Sequence, residues 1–209
     1  MINFLLILFI ISLLYLSIAN RLYTYTNILI LQGVLLFIMA FLQLGEIKLA
    51  GLIPVLVETL LVKAMVIPWF LRYIIRRNHI SREAEPTIPQ FASLLIVTAI
   101  VGTTFYLAYS MGLTDIIPEY FVVAVSSLFI GMYIIISRKK IITHAMGYLV
   151  IENGVFVMSL AVGDEMPMLV TTGVLFDIFA SVLILGLFIN KIGDVFKEGD
   201  VEHLSQLKD

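Results

Sequence analysis

The chain has 209 residues, of which 61% are hydrophobic and only 13% are charged, and its formal net charge is -2. A soluble domain carries about a quarter of its residues as charged ones, so this composition excludes a globular fold in water. Because the chain has no cysteine, it can form no disulfide, thiolate zinc site or cysteine-ligated iron–sulfur cluster of its own. No nucleic-acid partner is expected, because the basic residues fit a membrane topology.

Apolar stretches of the length that crosses about 30 Å of hydrocarbon occur at seven places. They predict transmembrane helices at residues 2–20, 27–45, 49–74, 91–112, 117–137, 142–162 and 168–190. The first has no basic segment before it and no small-residue cleavage site, which favours a membrane-spanning helix over a removable signal peptide. The fourth is the weakest prediction, because Gly102, Tyr106 and Tyr109 dilute its apolar character.

The loop charges predict how these helices are oriented. Eleven basic residues follow the odd-numbered spans: Arg21, Arg72, Arg76, Arg77, Arg82, Arg138, Lys139, Lys140, Lys191, Lys197 and Lys208. Only Lys48 follows an even-numbered one. By the positive-inside rule, the amino terminus faces out and the carboxyl tail lies in the cytoplasm. The sequence thus predicts an all-α, polytopic protein of the cell membrane, with about seven transmembrane helices in the lipid bilayer.

An internal repeat is one interpretation of the helix pattern. Laying helices 1–3 over helices 5–7 pairs Gln32 with Asn153 and Glu58 with Asp177, although apolar helices also align by chance. Three helices and a joiner would keep both copies in the same orientation. The corresponding division is an N-terminal three-helix unit with its cytoplasmic loop (1–90), a connecting helix (91–115), a second three-helix unit (116–190) and a cytoplasmic tail (191–209).

Four ionisable side chains lie deep in the predicted spans: Glu58, Lys63, Glu152 and Asp177. Each costs about 2.5 to 3.5 kcal/mol at a helix centre, and a helical bundle folds without it, so the first interpretation is functional. If the helices pack as one bundle, these side chains lie at about the same depth in the membrane. Acids with a lysine among them would then form a candidate proton relay. The alternative is a buried structural pair or a bond between helices. In an α-helix Glu58 and Lys63 are about 140° apart, so they need not pair with each other.

Helix 6 carries a second pattern. His144, Tyr148 and Glu152 are spaced by four, so they rise along one face from the basic end towards the middle of the helix. One interpretation is a proton path completed by water, and the other is an interfacial histidine with ordinary packing of the tyrosine. Asn153 and Gln32 are expected to form hydrogen bonds between helices.

Glycine and proline positions predict local helix geometry. Gly147, Gly154 and Gly173 indicate close helix packing, and Pro54 and Pro68 are expected to bend helix 3. No pattern of catalytic or metal-ligating residues is present in the sequence.

The carboxyl-terminal half resembles a known family. RKKIITHAMGYLVIENGVFVMSL (138–160) and MLVTTGVLFDIFASVLILGLFINKI (168–192) resemble the last two helices of the K (4L) subunit of respiratory complex I. That family has a mid-membrane glutamate after a basic loop and a second acid on the next helix. The matching positions are Glu152 and Asp177, the latter an aspartate where the family more usually has glutamate. The C subunits of multi-subunit cation/proton antiporters share this three-helix pattern.

With seven predicted helices, the chain most resembles the hydrogenase-4 component E family. Its members are membrane subunits of group 4 NiFe hydrogenase and formate hydrogenlyase complexes, and VIENGVF and GVLFDI carry the resemblance. The resemblance implies no role for Glu58 or Lys63.

The resemblance to this family implies that the chain is a subunit that is not catalytic alone and holds no cofactor. The NiFe centre and the iron–sulfur clusters would lie in soluble partner subunits. Its membrane partners would be antiporter-like subunits and a subunit next to the quinone or hydrogenase site. The ion would be a proton or sodium. The alternatives are a subunit of a cation/proton antiporter complex, a small transporter acting alone, and a structural membrane scaffold.

Overall fold

The computed structural model describes residues 1–43, 57–77, 87–112 and 116–161, and all regular elements in these ranges are helices. In chain order they are α1 (Ile2–Ile18), α2 (Leu22–Gln43), α3 (a π-helical half, Glu58–Val66, and an α-helical half, Ile67–Arg77), α4 (Gln90–Ser110), α5 (Pro118–Ser137) and α6 (Ile141–Ala161). The all-helical prediction is confirmed for these residues. The predicted seventh span (168–190) and the tail lie outside the described residues.

The helices agree with the first six predicted spans, apart from their ends. Helix α2 begins at Leu22 rather than at 27, and α3 continues to Arg77, into the predicted 76–90 loop. The weakly predicted fourth span is a helix of 21 residues. Helices α2, α4, α5 and α6 are long and apolar enough to cross a membrane, and α1 is an apolar helix of 17 residues.

The helix ends that carry basic residues meet at one end of the bundle. Hydrogen bonds join them at three places: Gln90 to the Ile18 carbonyl, Thr87 to the Ser137 carbonyl and Arg72 to Asn27. At the opposite end, the Ile117 N–H donates to the Ala161 carbonyl, 2.9 Å away. The described basic residues other than Lys63 therefore share one end of the bundle, as the alternation of loop charges predicts. Which end faces the cytoplasm stays a prediction.

Glycines bring α5 and α6 into backbone contact. A Cβ added to Gly131 would lie 2.7 Å from the Gly147 carbonyl oxygen, and one added to Gly154 would lie 2.9 Å from the Ala124 carbonyl oxygen. Real Cβ atoms do not approach so closely, so a side chain at either position would push the helices apart. The prediction of close packing is confirmed for Gly147 and Gly154, and Gly173 lies outside the described residues.

The first half of α3 is a π-helix, in which each N–H bonds to the carbonyl five residues earlier. The last such bond runs from Ile67 to Val62, and Pro68 follows directly. Because proline has no N–H and its ring crowds the preceding turn, the hydrogen-bond pattern changes beside Pro68. The bend expected at Pro68 stays a prediction, and Pro54 lies outside the described residues.

This geometry corrects one argument from the sequence. The separation of about 140° between Glu58 and Lys63 holds only for an α-helix. In the π-helix, residues five apart are joined by a backbone hydrogen bond, so the two backbone positions lie about one turn apart. The side chain of Glu58 is outside the described part of the structure.

Candidate functional site

A series of buried hydrogen bonds crosses the bundle near the middle of its helices. Lys63 Nζ donates to Asn153 Oδ1 at 3.2 Å, and Asn153 Nδ2 donates to Gln32 Oε1 at 3.0 Å. Gln32 Nε2 then donates to Ser12 Oγ at 3.0 Å, and this hydroxyl donates to the Phe9 carbonyl oxygen at 2.6 Å. We call Lys63, Asn153, Gln32 and Ser12 the polar chain. It connects α3, α6, α2 and α1.

All four members of the polar chain are buried. Lys63 and Asn153 are each 5% exposed, and Gln32 is completely covered. Buried amides are costly unless their hydrogen bonds are made, and both amides here donate and accept. The prediction that Gln32 and Asn153 form hydrogen bonds between helices is therefore confirmed, and here they bond to each other.

Small residues next to the polar chain allow the helices to come this close. Gly33 follows Gln32, and a Cβ on it would lie 2.9 Å from the Ala64 backbone nitrogen, next to Lys63. Gly154 follows Asn153 and has the same role between α6 and α5. A polar residue followed by a small one thus occurs on α2, α3 and α6, which places the long side chains within hydrogen-bonding distance.

Glu152 lies in the same layer of the bundle. It precedes Asn153 near the middle of α6 and is 5% exposed. One turn later on this helix, the Phe156 ring centroid lies 5.1 Å from Lys63 Nζ, a distance at which an aromatic face attracts a cation. The structure therefore brings Lys63 to the part of α6 that carries Glu152.

His144 and Tyr148 are half-buried on α6, nearer its basic end. His144 Nε2 lies 2.7 Å from the Arg138 carbonyl oxygen. A carbonyl only accepts, so Nε2 carries a hydrogen and Nδ1 remains for other partners. The proton path through these residues to Glu152 stays a prediction, and Asp177 lies outside the described residues.

Sequence reasoning missed the burial of Arg138, which was counted as a loop charge. The residue is 4% exposed, its Nη2 donates to the Ser17 carbonyl at 2.7 Å, and its Cζ lies 5.9 Å from the Tyr25 ring centroid. Within the part of the chain that the structure describes, the hydroxyls of Tyr133 and Ser137 are buried without a hydrogen-bond partner. The only feature of the sequence that pointed to this burial is that Arg138 directly follows an apolar span.

Within 1–43, 57–77, 87–112 and 116–161, no group of three or more histidine, aspartate or glutamate residues is placed to hold a metal ion.

Comparison with known proteins gives one distant relative. The "Uncharacterized protein Rv0085" of Mycobacterium tuberculosis is 26% identical over 164 residues, which cover 76% of this chain and 74% of the relative. No family model matches the chain. No solved structure matches it either. The similarity extends over most of both chains, and the relative's name describes no activity.

Proposed function

We propose that this chain is a non-redox membrane subunit of a complex-I-like, energy-converting hydrogenase of the group 4 NiFe type. In this proposal, its carboxylates at the membrane midplane take part in proton or sodium translocation coupled to electron transfer in partner subunits. The observation that carries it is the burial of Lys63 and Glu152 near the middle of a bundle in which four of the described helices are long and apolar enough to span a membrane.

Insertion into a membrane disfavours charged side chains near the centre of a helix. Each charge near a helix centre costs about 2.5 to 3.5 kcal/mol, and the amides already connect the helices, so tying the bundle together does not require two ionisable groups. A lysine and a glutamate in one layer can exchange a proton: an ammonium and a carboxylate become an amine and a carboxyl with no change in net charge. Such exchange is the step that a relay of protons needs.

The roles of Glu152 and Asp177 follow the sequence resemblance, and those of Glu58, His144 and Tyr148 follow from their positions along the predicted helices. Glu152 takes and releases the proton, and Asp177 is its partner on the next helix. Glu58 is a further candidate on α3. His144 and Tyr148 supply the path from the cytoplasmic end, with His144 Nδ1 as the exchanging nitrogen because Nε2 is held by the Arg138 carbonyl.

The subunit is surrounded by membrane partners of the same complex. It lies in the cell membrane with its amino terminus outside, between antiporter-like subunits and a membrane subunit next to the hydrogenase or quinone site. The NiFe centre and iron–sulfur clusters belong to soluble partners. A subunit of a cation/proton antiporter complex would use the same acids without redox partners.

A structural scaffold is the second candidate, and one observation favours it. Each amide of the polar chain both donates and accepts in bonds that join four helices, as in a purely structural network. On this alternative, neutral variants of Glu152 and Asp177 would assemble and function normally.

The first experiment is purification of the chain from native membranes in mild detergent, with identification of the proteins that accompany it. Nickel hydrogenase and iron–sulfur subunits support the proposal. Antiporter-type membrane subunits without redox proteins favour the antiporter complex. A protein that purifies alone contradicts both.

The second experiment tests the carboxylate directly. We expect Glu152→Gln to assemble but to reduce coupled ion transport at least about tenfold, because the amide cannot carry a proton at the midplane. The matched control is Glu119→Gln, in the first turn of α5 at the opposite end from the basic residues. Equal transport by the two variants would favour the scaffold.

A further inference from the structure

The hydrogen bonds of the polar chain all run in one direction. Counting from Lys63, each residue donates to the next: Nζ to Asn153, Asn153 Nδ2 to Gln32, and Gln32 Nε2 to Ser12. At the far end the Ser12 hydroxyl donates to the Phe9 carbonyl, which can only accept. At the near end an ammonium can only donate. Both ends therefore fit this direction when Lys63 carries its proton.

This arrangement favours positive charge on Lys63. The amide oxygens of Asn153 and Gln32 are on the sides facing Lys63, so the two amide dipoles are aligned with the charge. The Phe156 ring adds a negative aromatic face 5.1 Å from Nζ. Bonds made by an ionised donor are stronger than neutral ones and polarise the bonds beyond them. Loss of the charge would weaken the series as far as Ser12.

We propose that Asn153, Gln32 and Ser12 are positioning residues that hold Lys63 in its ammonium form and transmit the loss of that charge from α3, through α6 and α2, to α1. This rests on the proposed function only in that Lys63 loses its proton during the working cycle. No proton travels along the amides, because they do not ionise. It passes from Nζ to a carboxylate, which becomes a carboxyl.

Other titratable groups near Lys63 must be separated from it in any test. On α6 these are Glu152, next to Asn153, and Tyr148, one turn before it. On α3 the backbone position of Glu58 lies about one turn earlier. Helices α1 and α2 contribute Ser12 and Gln32, which do not titrate.

The test is nuclear magnetic resonance of the detergent-purified full chain labelled with 15N-glutamine. The sequence has four glutamines, and the side-chain signal of Gln32 is assigned by its loss in Gln32→Leu. We expect this signal to move with pH in the unaltered protein. The signal of Gln43, which accepts from Tyr120 outside the polar chain, is the internal control.

Three variants should abolish the pH response of Gln32. Lys63→Met removes the charge, Lys63→Arg makes it permanent, and Asn153→Leu cuts the polar chain while the lysine remains. If one lysine variant does not fold, the other and Asn153→Leu carry the test. A response that persists in these variants, or no response in the unaltered protein, overturns the proposal. Because the measurement needs only folded protein, a failure of ion transport would refute the proposed function without altering this result.

Discussion

Gln32 uses both ends of its amide, accepting from Asn153 and donating to Ser12 in a fully covered position. At the scale of single residues, this determines what a substitution does. Without Gln32, the buried Asn153 Nδ2 loses its acceptor and the Ser12 hydroxyl loses its donor. A buried unsatisfied group costs more than the bond itself contributes. Polar residues in the middle of this bundle are therefore sensitive positions whatever the function.

We expect Gln32→Met, which keeps the length of the side chain, to lower the free energy of unfolding by about 1–2 kcal/mol, since hydrogen bonds between membrane helices contribute about 0.6–2 kcal/mol each. Unfolding by sodium dodecyl sulfate in mild detergent measures this. Gln43→Met is the matched control, because Gln43 is only half-buried and makes one bond, to Tyr120. Equal decreases in the free energy of unfolding of the two variants would show that the buried position of Gln32 does not matter.

At the scale of elements, the spacing between helices is set by residues without side chains. Gly131 and Gly147 let the backbones of α5 and α6 touch, and Gly33 does the same for α2 against α3. Close approach strengthens dispersion contacts, which in lipid replace the hydrophobic effect as the force between helices. It also makes the interface intolerant of added atoms, because a packed backbone cannot move aside as a flexible side chain can.

Gly131→Ala should therefore destabilise the protein by about 1–3 kcal/mol, because its Cβ would meet the Gly147 carbonyl. Gly102→Ala on α4 is the control. Among the described residues, no atom beyond the glycine's chain neighbours and its own helix backbone lies within 4 Å of the added Cβ, and alanine favours a helix by about 0.5–1 kcal/mol. Thermal unfolding of the two variants should shift in opposite directions. A neutral Gly131→Ala would mean that α5 and α6 are not packed as closely as described.

At the scale of the whole molecule, the described basic residues at the helix ends gather at one end of the bundle, and only Lys63 among the described ones lies near its middle. The positive-inside rule assigns that end to the cytoplasm. Arg138 belongs to the same end but is buried, so it contributes to this charge pattern without lying in a solvated loop. Orientation thus depends on where the charges are along the chain, and burial depends on how the helices meet.

Because the chain has no cysteine, its orientation can be tested with single cysteines. We expect Lys139→Cys, at the basic end, to react with a membrane-impermeant maleimide only after cells are permeabilised. Met111→Cys, exposed after the other end of α4, should react in intact cells. The opposite pattern would place the amino terminus inside and reverse the predicted topology.

The local sequence pattern predicted much of this fold. Long apolar runs located six helices, and loop charges predicted that their basic ends would share one side, because both signals depend on composition within a short window. It also located Gln32, Lys63, Glu152 and Asn153 near the middles of their spans. Depth along a helix follows from counting residues, so it needs no knowledge of the neighbours.

Local sequence pattern therefore predicted the all-helical class, the described helices and the depth of their polar residues. The bonds from Lys63 to Asn153 and from Asn153 to Gln32 depend on tertiary packing, because they join residues 90 and 121 positions apart. The same holds for the π-helical start of α3 and the burial of Arg138. These features depend on how each helix is rotated and which neighbour it touches. Rotation is set by packing between distant segments, and an almost uniformly apolar helix carries little local signal for it.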